Sequence, residues 1–302
     1  MITVTGSLAF DHIMDFPGKF SDHIMPDKIH RINLSFLVNT LKKQRGGTAG
    51  NIAYNLALLQ IPVSIAGAAG ADFAEYAKFL QNAGVDVSKI KIIENESTSS
   101  AFIMTDLSDN QITAFYPGAM KENAGLILEK ADLAVISPND PKAMVNFTRQ
   151  CQDSNTPYML DPGMQLPSLD AEDLKNMVNN ATILIGNDYE ISLLSNKIQV
   201  PSVRIIITTL GEKGSIIQTK DQKLEIKSGK PKETVDPTGA GDAFRAGFLA
   251  GYIKDLDLRV CGQMGSVAAC YAVEKYGTTS HAFTVEEFQE RYKENFGEEL
   301  KL

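Results

Sequence analysis

The 302-residue chain has no tryptophan, only three cysteines and only four histidines, and each shortage removes a class of function. Cys151, Cys261 and Cys270 are odd in number and lack Cys-x-x-Cys spacing, so they read as ordinary thiols of a reducing compartment. His12, His23, His30 and His281 are scattered, which offers neither a zinc site nor a histidine-based triad. No basic block stands out from 29 Lys and Arg against 37 Asp and Glu, a balance of −8. Nucleic acid and anionic membrane are therefore not expected partners, and a polyanionic ligand must be held by local amides or a metal. No apolar run approaches membrane-spanning length. The chain opens on the strand-like Ile2-Thr3-Val4-Thr5-Gly6 without a signal-peptide pattern, so a cytoplasmic location is expected.

What is present is a globular composition, 43% hydrophobic and 22% charged, in a length that suits two domains or one large α/β domain. Short β-branched runs at Ile2–Thr5, Val63–Ala66, Leu133–Ser137, Tyr158–Asp161, Ile183–Ile185 and Ile205–Thr208 alternate with amphipathic stretches near 50–59, 71–83, 141–152 and 170–179. That alternation predicts an α/β fold with a mostly parallel sheet flanked by helices. Two segments break it. Residues 31–38 alternate in polarity like a half-exposed strand, and residues 99–116 read as a hairpin turning at Ser108-Asp109-Asn110. They predict a small second sheet, either a functional cover or a pair of edge hairpins.

The chemistry concentrates at Asp236-Pro237-Thr238-Gly239-Ala240-Gly241-Asp242-Ala243-Phe244, which opens into a helical pattern. Glycine lets a bulky anion approach the main chain, and a helix's first turn has unpaired amides at the positive end of its dipole. Gly239, Ala240 and Gly241 thus form a candidate anion hole. Asp242 beside it would repel the anion unless it serves to take a proton from an attacking hydroxyl. Together they point to phosphoryl transfer to an alcohol.

This run resembles that of the ribokinase-like (PfkB) carbohydrate kinase family, and the resemblance continues nearly end to end. It implies one domain over 1–302, with a lid built from segments of about 12–45 and 98–118. It makes Asp242 the catalytic base. Arg45-Gly46-Gly47-Thr48-Ala49-Gly50-Asn51 is similar to the family's N-terminal Gly-Gly segment, which implies acceptor contacts for Gly47 and Asn51. Asp11, expected at the carboxyl end of the first strand, suits a vicinal diol by accepting two charge-assisted bonds, although capping of a turn is an equally plain role. Ser7 lies in the same loop.

Asn187-Asp188-Tyr189-Glu190 resembles the family's Asn-x-x-Glu segment, which implies that Asn187 and Glu190 position Mg2+ through water; helix capping by Asn187 is compatible with that. Thr208-Thr209-Leu210-Gly211-Glu212-Lys213-Gly214 is similar to the nucleotide loop, implying ATP contacts at Thr209, Gly211 and Gly214 beside Asn187. Asp236 and Thr238 match ligands of a monovalent cation such as K+, completed near Gly277–Ser280.

Within the family the chain is most similar to the short bacterial adenosine kinases of the mycobacterial type, through Asp11–Phe20, Leu34–Val38, Gly70–Phe73 and Phe115–Met120. The implied reaction is transfer from ATP to the ribose 5′-hydroxyl of adenosine, in a monomer or homodimer. Phe102 and Phe115 match the base-stacking aromatics, or else fill the small sheet's own core. After Asp161-Pro162 the chain has Gly163-Met164-Gln165, so Gln165 matches the second of two expected glutamines and Met164 replaces the first. A broader nucleoside kinase, a sugar kinase such as ribokinase, and a non-catalytic nucleoside sensor are the alternatives.

Overall fold

The computed structural model describes residues 1–24, 33–108, 110–199 and 203–302. Its first part contains β1 (Ile2–Thr5), β2 (Ala9–Asp15), β3 (Thr40–Gly46), α1 (Thr48–Leu58), β4 (Val63–Ile65), β5 (Gly67–Gly70) and α2 (Ala74–Asn82). There follow β6 (Ile90–Ile93), β7 (Ser99–Thr105), β8 (Gln111–Tyr116), β9 (Leu133–Ile136), α3 (Pro141–Asp153), β10 (Tyr158–Leu160) and α4 (Ala171–Asn179). The last part contains β11 (Ile183–Asn187), α5 (Asp188–Lys197), β12 (Ile205–Thr209), β13 (Ser215–Gln218) and β14 (Lys223–Ile226), then α6 (Ala240–Tyr252), α7 (Leu258–Val273) and α8 (Val285–Phe296).

The main sheet has the order β14-β13-β12-β11-β10-β9-β1-β4. From β4 to β12 the pairs are parallel, and β13 and β14 add an antiparallel edge. Every residue of β1, β9 and β10 is buried, as a parallel sheet covered on both faces requires. The period of two then sorts the side chains. Ile183 and Ile185 join Ile52, Phe248 and Phe288 in one core, while Leu184 joins Phe147 and Leu174 in the other. The chain places β4 on one side of β1 and β9 on the other. Their diverging connections leave a crevice at the carboxyl ends of β1 and β9, where α/β sheets bind ligands.

A second sheet, ordered β3-β2-β7-β8, starts just beyond the carboxyl end of β1, with β2 beginning at Ala9. The predicted hairpin over 99–116 is present as β7 and β8, with Asp109 of its turn outside the described residues. The strand expected over 31–38 is not: residues 33–38 form none, and residues 31 and 32 lie outside the described residues. Pairing with β2 begins only at Thr40, opposite Asp15. Phe36 instead packs edge-on against Phe16 and Phe20, so its ring anchors a loop rather than one face of a strand. Among the described residues no helix is long and apolar enough to cross a membrane.

Candidate active site

Helix α6 begins at Gly239, whose φ of +82° is left-handed backbone open to glycine. The Ala243 amide makes the first intrahelical bond, to Gly239 O. The Ala240 amide turns to the Pro237 carbonyl at 3.2 Å, so it is not a free donor as the sequence suggested. The amides of Gly239, Gly241 and Asp242 have no partner among the described residues, which makes the turn a candidate anion site.

Asp242 is half-buried in that turn and accepts a hydrogen bond of 2.8 Å from Asn51 Nδ2 on α1. Behind Asn51, Asn55 Nδ2 donates to the Asn51 carbonyl at 2.9 Å, and the Asn55 Oδ1 lies 2.8 Å from His281 Nε2. The Asp242 carboxyl is raised to about 6, chiefly by burial and secondarily by Asp161; Arg245 and the Asn51 bond oppose the rise. A base that ionises near neutrality is what proton transfer at pH 7 needs.

Helix α1 is seated by Gly47, at φ +90°, where a Cβ would lie 2.4 Å from the Ser7 carbonyl oxygen. Ser7 Oγ accepts the Thr48 amide at 3.1 Å, and Thr48 Oγ1 meets Ser137 Oγ at 2.8 Å. Ser7 therefore caps α1 and joins it to the ends of β1 and β9.

Asp11 is not at the end of β1, as the sequence suggested, but in the middle of β2 in the second sheet. Its carboxylate lies against Gly46, where a Cβ would come within 2.3 Å of Oδ2. Burial, then Asp236, raises it to about 6. Register fixes what shares its face. Asp11 is paired with Gln44 and Ala101, and Ala101 with Phe115, so Phe115 stands on the Asp11 face. Phe102 is paired with His12 and Ala114 on the opposite face, where its ring stacks on His12 with centroids 4.8 Å apart. The expectation that both rings face the acceptor fails, because 102 and 115 differ by one step in cross-strand register.

Asn187 and Glu190 form a reciprocal capping box on α5: Glu190 N donates to Asn187 Oδ1 and Asn187 N to Glu190 Oε2, both at 2.8 Å. Asn187 lies beside Thr209 in the sheet, and Thr209, Gly211 and Gly214 line a cavity of about 570 Å³ with Gly241 and Phe244. Asp236 accepts the amides of Thr238 at 2.9 Å and Gly277 at 3.0 Å, tying the approach to α6 to the 277–280 loop. Gln165 is half-buried in a short turn after β10, and Met164 is 77% exposed. Among the described residues no three His, Cys, Asp or Glu side chains cluster as metal ligands.

Sequence reasoning missed the pair Arg245–Asp161, with Nε 2.7 Å from Oδ2 and both side chains buried. The available signal was a lone cation in the apolar run Ala-Phe-Arg-Ala-Gly-Phe of α6.

The sequence profile of the pfkB family of carbohydrate kinases matches residues 8–284. The chain belongs to that family. Its relatives include a nucleoside kinase of Methanocaldococcus jannaschii, 32% identical over 304 residues that cover 97% of each chain. Among solved structures, the nucleoside kinase of Burkholderia thailandensis in complex with inosine superimposes with a TM-score of 0.89 at 34% identity, covering 100% of both chains. The same enzyme with ADP and inosine gives 0.86 at 35% identity, over 100% of this chain and 98% of the other. The expected ribokinase-like fold is thus present, and ATP-dependent phosphotransfer follows from the family. The similarity to these kinases is to nucleoside kinases generally rather than to adenosine kinases in particular.

Proposed function

We propose that the protein transfers the γ-phosphate of ATP to the 5′-hydroxyl of a purine nucleoside, adenosine among them. The observation that carries the reading is the half-buried Asp242, hydrogen-bonded to Asn51 and set in a turn of free amides at the start of α6. In this reading the second sheet is the lid. Asp11 accepts the ribose hydroxyls, with Gly47 and Asn51 close by, and Phe115 stacks on the base. Asp242 takes the proton of the 5′-hydroxyl as its oxygen attacks the γ-phosphorus. The Gly239 and Gly241 amides then stabilise charge on the phosphate oxygens as the bond to ADP breaks. ATP occupies the cavity lined by Thr209, Gly211 and Gly214.

The residues fit Mg2+ held largely by water. Glu190 commits Oε2 to the capping box and keeps its other oxygen, and the buried Asp161 Oδ1 beyond it has no partner. Bound there, the ion would neutralise charge on the phosphates. Asp236 and Thr238 offer the hard oxygen ligands suited to K+. A second copy of the chain is the proposed cover for the outward face of the lid, where Leu41, Phe102 and Ile112 are exposed. Sedimentation of Phe102→Glu against wild type tests this, and an unchanged oligomeric state removes it.

A broad nucleoside kinase is the second reading, and one observation favours it. The Asp11 face offers Ile13, Ile103 and Phe115, which recognise a base by shape and stacking, and Met164 supplies no hydrogen bond to its edge. ADP release measured over adenosine, inosine, guanosine, cytidine, ribose and fructose 6-phosphate tests both readings. Comparable kcat/KM for several nucleosides selects the broad kinase, and preference for ribose defeats the nucleoside assignment. Nucleoside binding without turnover of any acceptor would leave a sensor.

A further inference from the structure

Arg245 is the one charged residue of α6 after Asp242, and it is 7% exposed. Its Nε lies 2.7 Å from Asp161 Oδ2 at the carboxyl end of β10, but the N–H is not aimed along a hydrogen bond, so the contact is one of charge. Its Nη1 reaches back beneath the anion-binding turn: a Cβ added at Gly241 would stop 2.8 Å from it. A buried ion pair of this kind is often no more stabilising than apolar residues of the same volume. Stability therefore does not account for it, and its place in the site does.

Arg245 lies three residues beyond Asp242, on the same helical face. The groups that face Asp242 are Asn51 from α1, Asp161 from the end of β10, Tyr76 from α2 and Arg245 itself; Glu190 of α5 faces the Arg245–Asp161 pair. Arg245 is the cation of this set. We propose that Arg245 is a positioning residue for phosphoryl transfer: anchored by Asp161, it braces the first turn of α6 and holds the Asp242 carboxylate beside the transferring phosphate. The role rests on the kinase reading above. Burial and Asp161 both favour the protonated form of Asp242, and the guanidinium opposes them.

The test compares wild type, Arg245→Lys, Arg245→Met and the double variant Arg245→Met with Asp161→Leu. Turnover of the best nucleoside is followed from pH 5 to 9, with KM and thermal unfolding, and the Asp242 carboxyl is titrated by 13C NMR. An opposite charge close to a carboxyl lowers it by about 1–3 pH units. Arg245→Met should therefore move the acid limb of kcat, and the carboxyl titration, upward by about that amount. At pH 7 kcat should fall between about twofold and about ninetyfold according to the size of the shift, with KM for the nucleoside little changed. Arg245→Lys should lie between. The double variant removes the lone buried carboxylate, so it should regain thermal stability, and its pH profile should fall back toward wild type because the opposing Asp161 charge goes too. A wild-type acid limb and carboxyl titration in Arg245→Met would make the pair merely structural and overturn the proposal. Absence of turnover in wild type would defeat the kinase reading, and the carboxyl titration would still decide whether Arg245 governs Asp242.

Discussion

As the proposed base, Asp242 meets two opposed demands, since the burial that would let it act near neutrality also makes its charge costly. With the folded-state carboxyl at about 6 against an ordinary 3.8, its contribution to stability is fully present below pH 3.8 and lost as pH rises through 6. Asp242→Asn should thus lower kcat by about 10²–10⁴-fold while stabilising the protein at pH 7 by about 1–3 kcal/mol. Urea unfolding of both proteins at pH 7 and pH 4 checks the second half: the gain should shrink to about 0.5 kcal/mol at the lower pH. At the same scale, Phe115→Ala should raise KM for the nucleoside by the roughly 1–3 kcal/mol of a lost stack, and Phe102→Ala should leave it nearly unchanged. Steady-state kinetics of the two variants decides this, and equal effects would contradict the register argument.

At the scale of elements, the proposed function gives α5 a double duty, capping and metal positioning, that one substitution can divide. Asn187 and Glu190 satisfy the first amides of the helix by reciprocal bonds. Glu190→Gln keeps an acceptor for the Asn187 amide but loses the charge, so thermal stability should hold while the Mg2+ concentration needed for half-maximal rate rises. Asn187→Ala removes the cap and should cost about 1 kcal/mol of stability. Thermal unfolding and Mg2+ titration of both variants separate capping from metal positioning; an unaltered Mg2+ requirement in Glu190→Gln would confine it to the cap. Gly47 is a harder case. Its left-handed backbone and the 2.4 Å approach of the Ser7 carbonyl leave no room for a side chain. Gly47→Ala should destabilise by about 2 kcal/mol or more, read as a lower urea midpoint.

Across the whole molecule, the second sheet is fastened to the main body at the phosphate end of the site. Thr278 Oγ1 donates to the Arg45 carbonyl of β3 at 3.0 Å, and the neighbouring Gly277 amide binds Asp236 ahead of α6. Strand β8, the opposite edge of that sheet, is by contrast exposed along its length. Nucleoside binding should accordingly slow hydrogen exchange most at the amides of β7 and β8, with β3 already protected in the free protein. Mass-spectrometric exchange with and without adenosine checks this, and protection confined to α1 and α6 would mean that the sheet does not close on the ligand.

The glycine turn that opens α6, the proposed phosphate-transfer centre, was legible in the sequence because its parts lie within one short run. Gly239, Gly241 and Asp242 are set by local backbone and the start of a helix, which neighbours in sequence dictate. The alternation of strands and helices was legible for the same reason, since hydrophobic period is a local property. What the tertiary structure alone decided depends on pairing between distant segments. It moved Asp11 from the end of β1 to the middle of β2 and put Phe102 and Phe115 on opposite faces, because one step of register reverses a side chain. It also brought Arg245 to Asp161 across 84 positions of sequence and made Asn51 a partner of Asp242. Such contacts are fixed by how the helices pack on the sheet, and no local pattern encodes that.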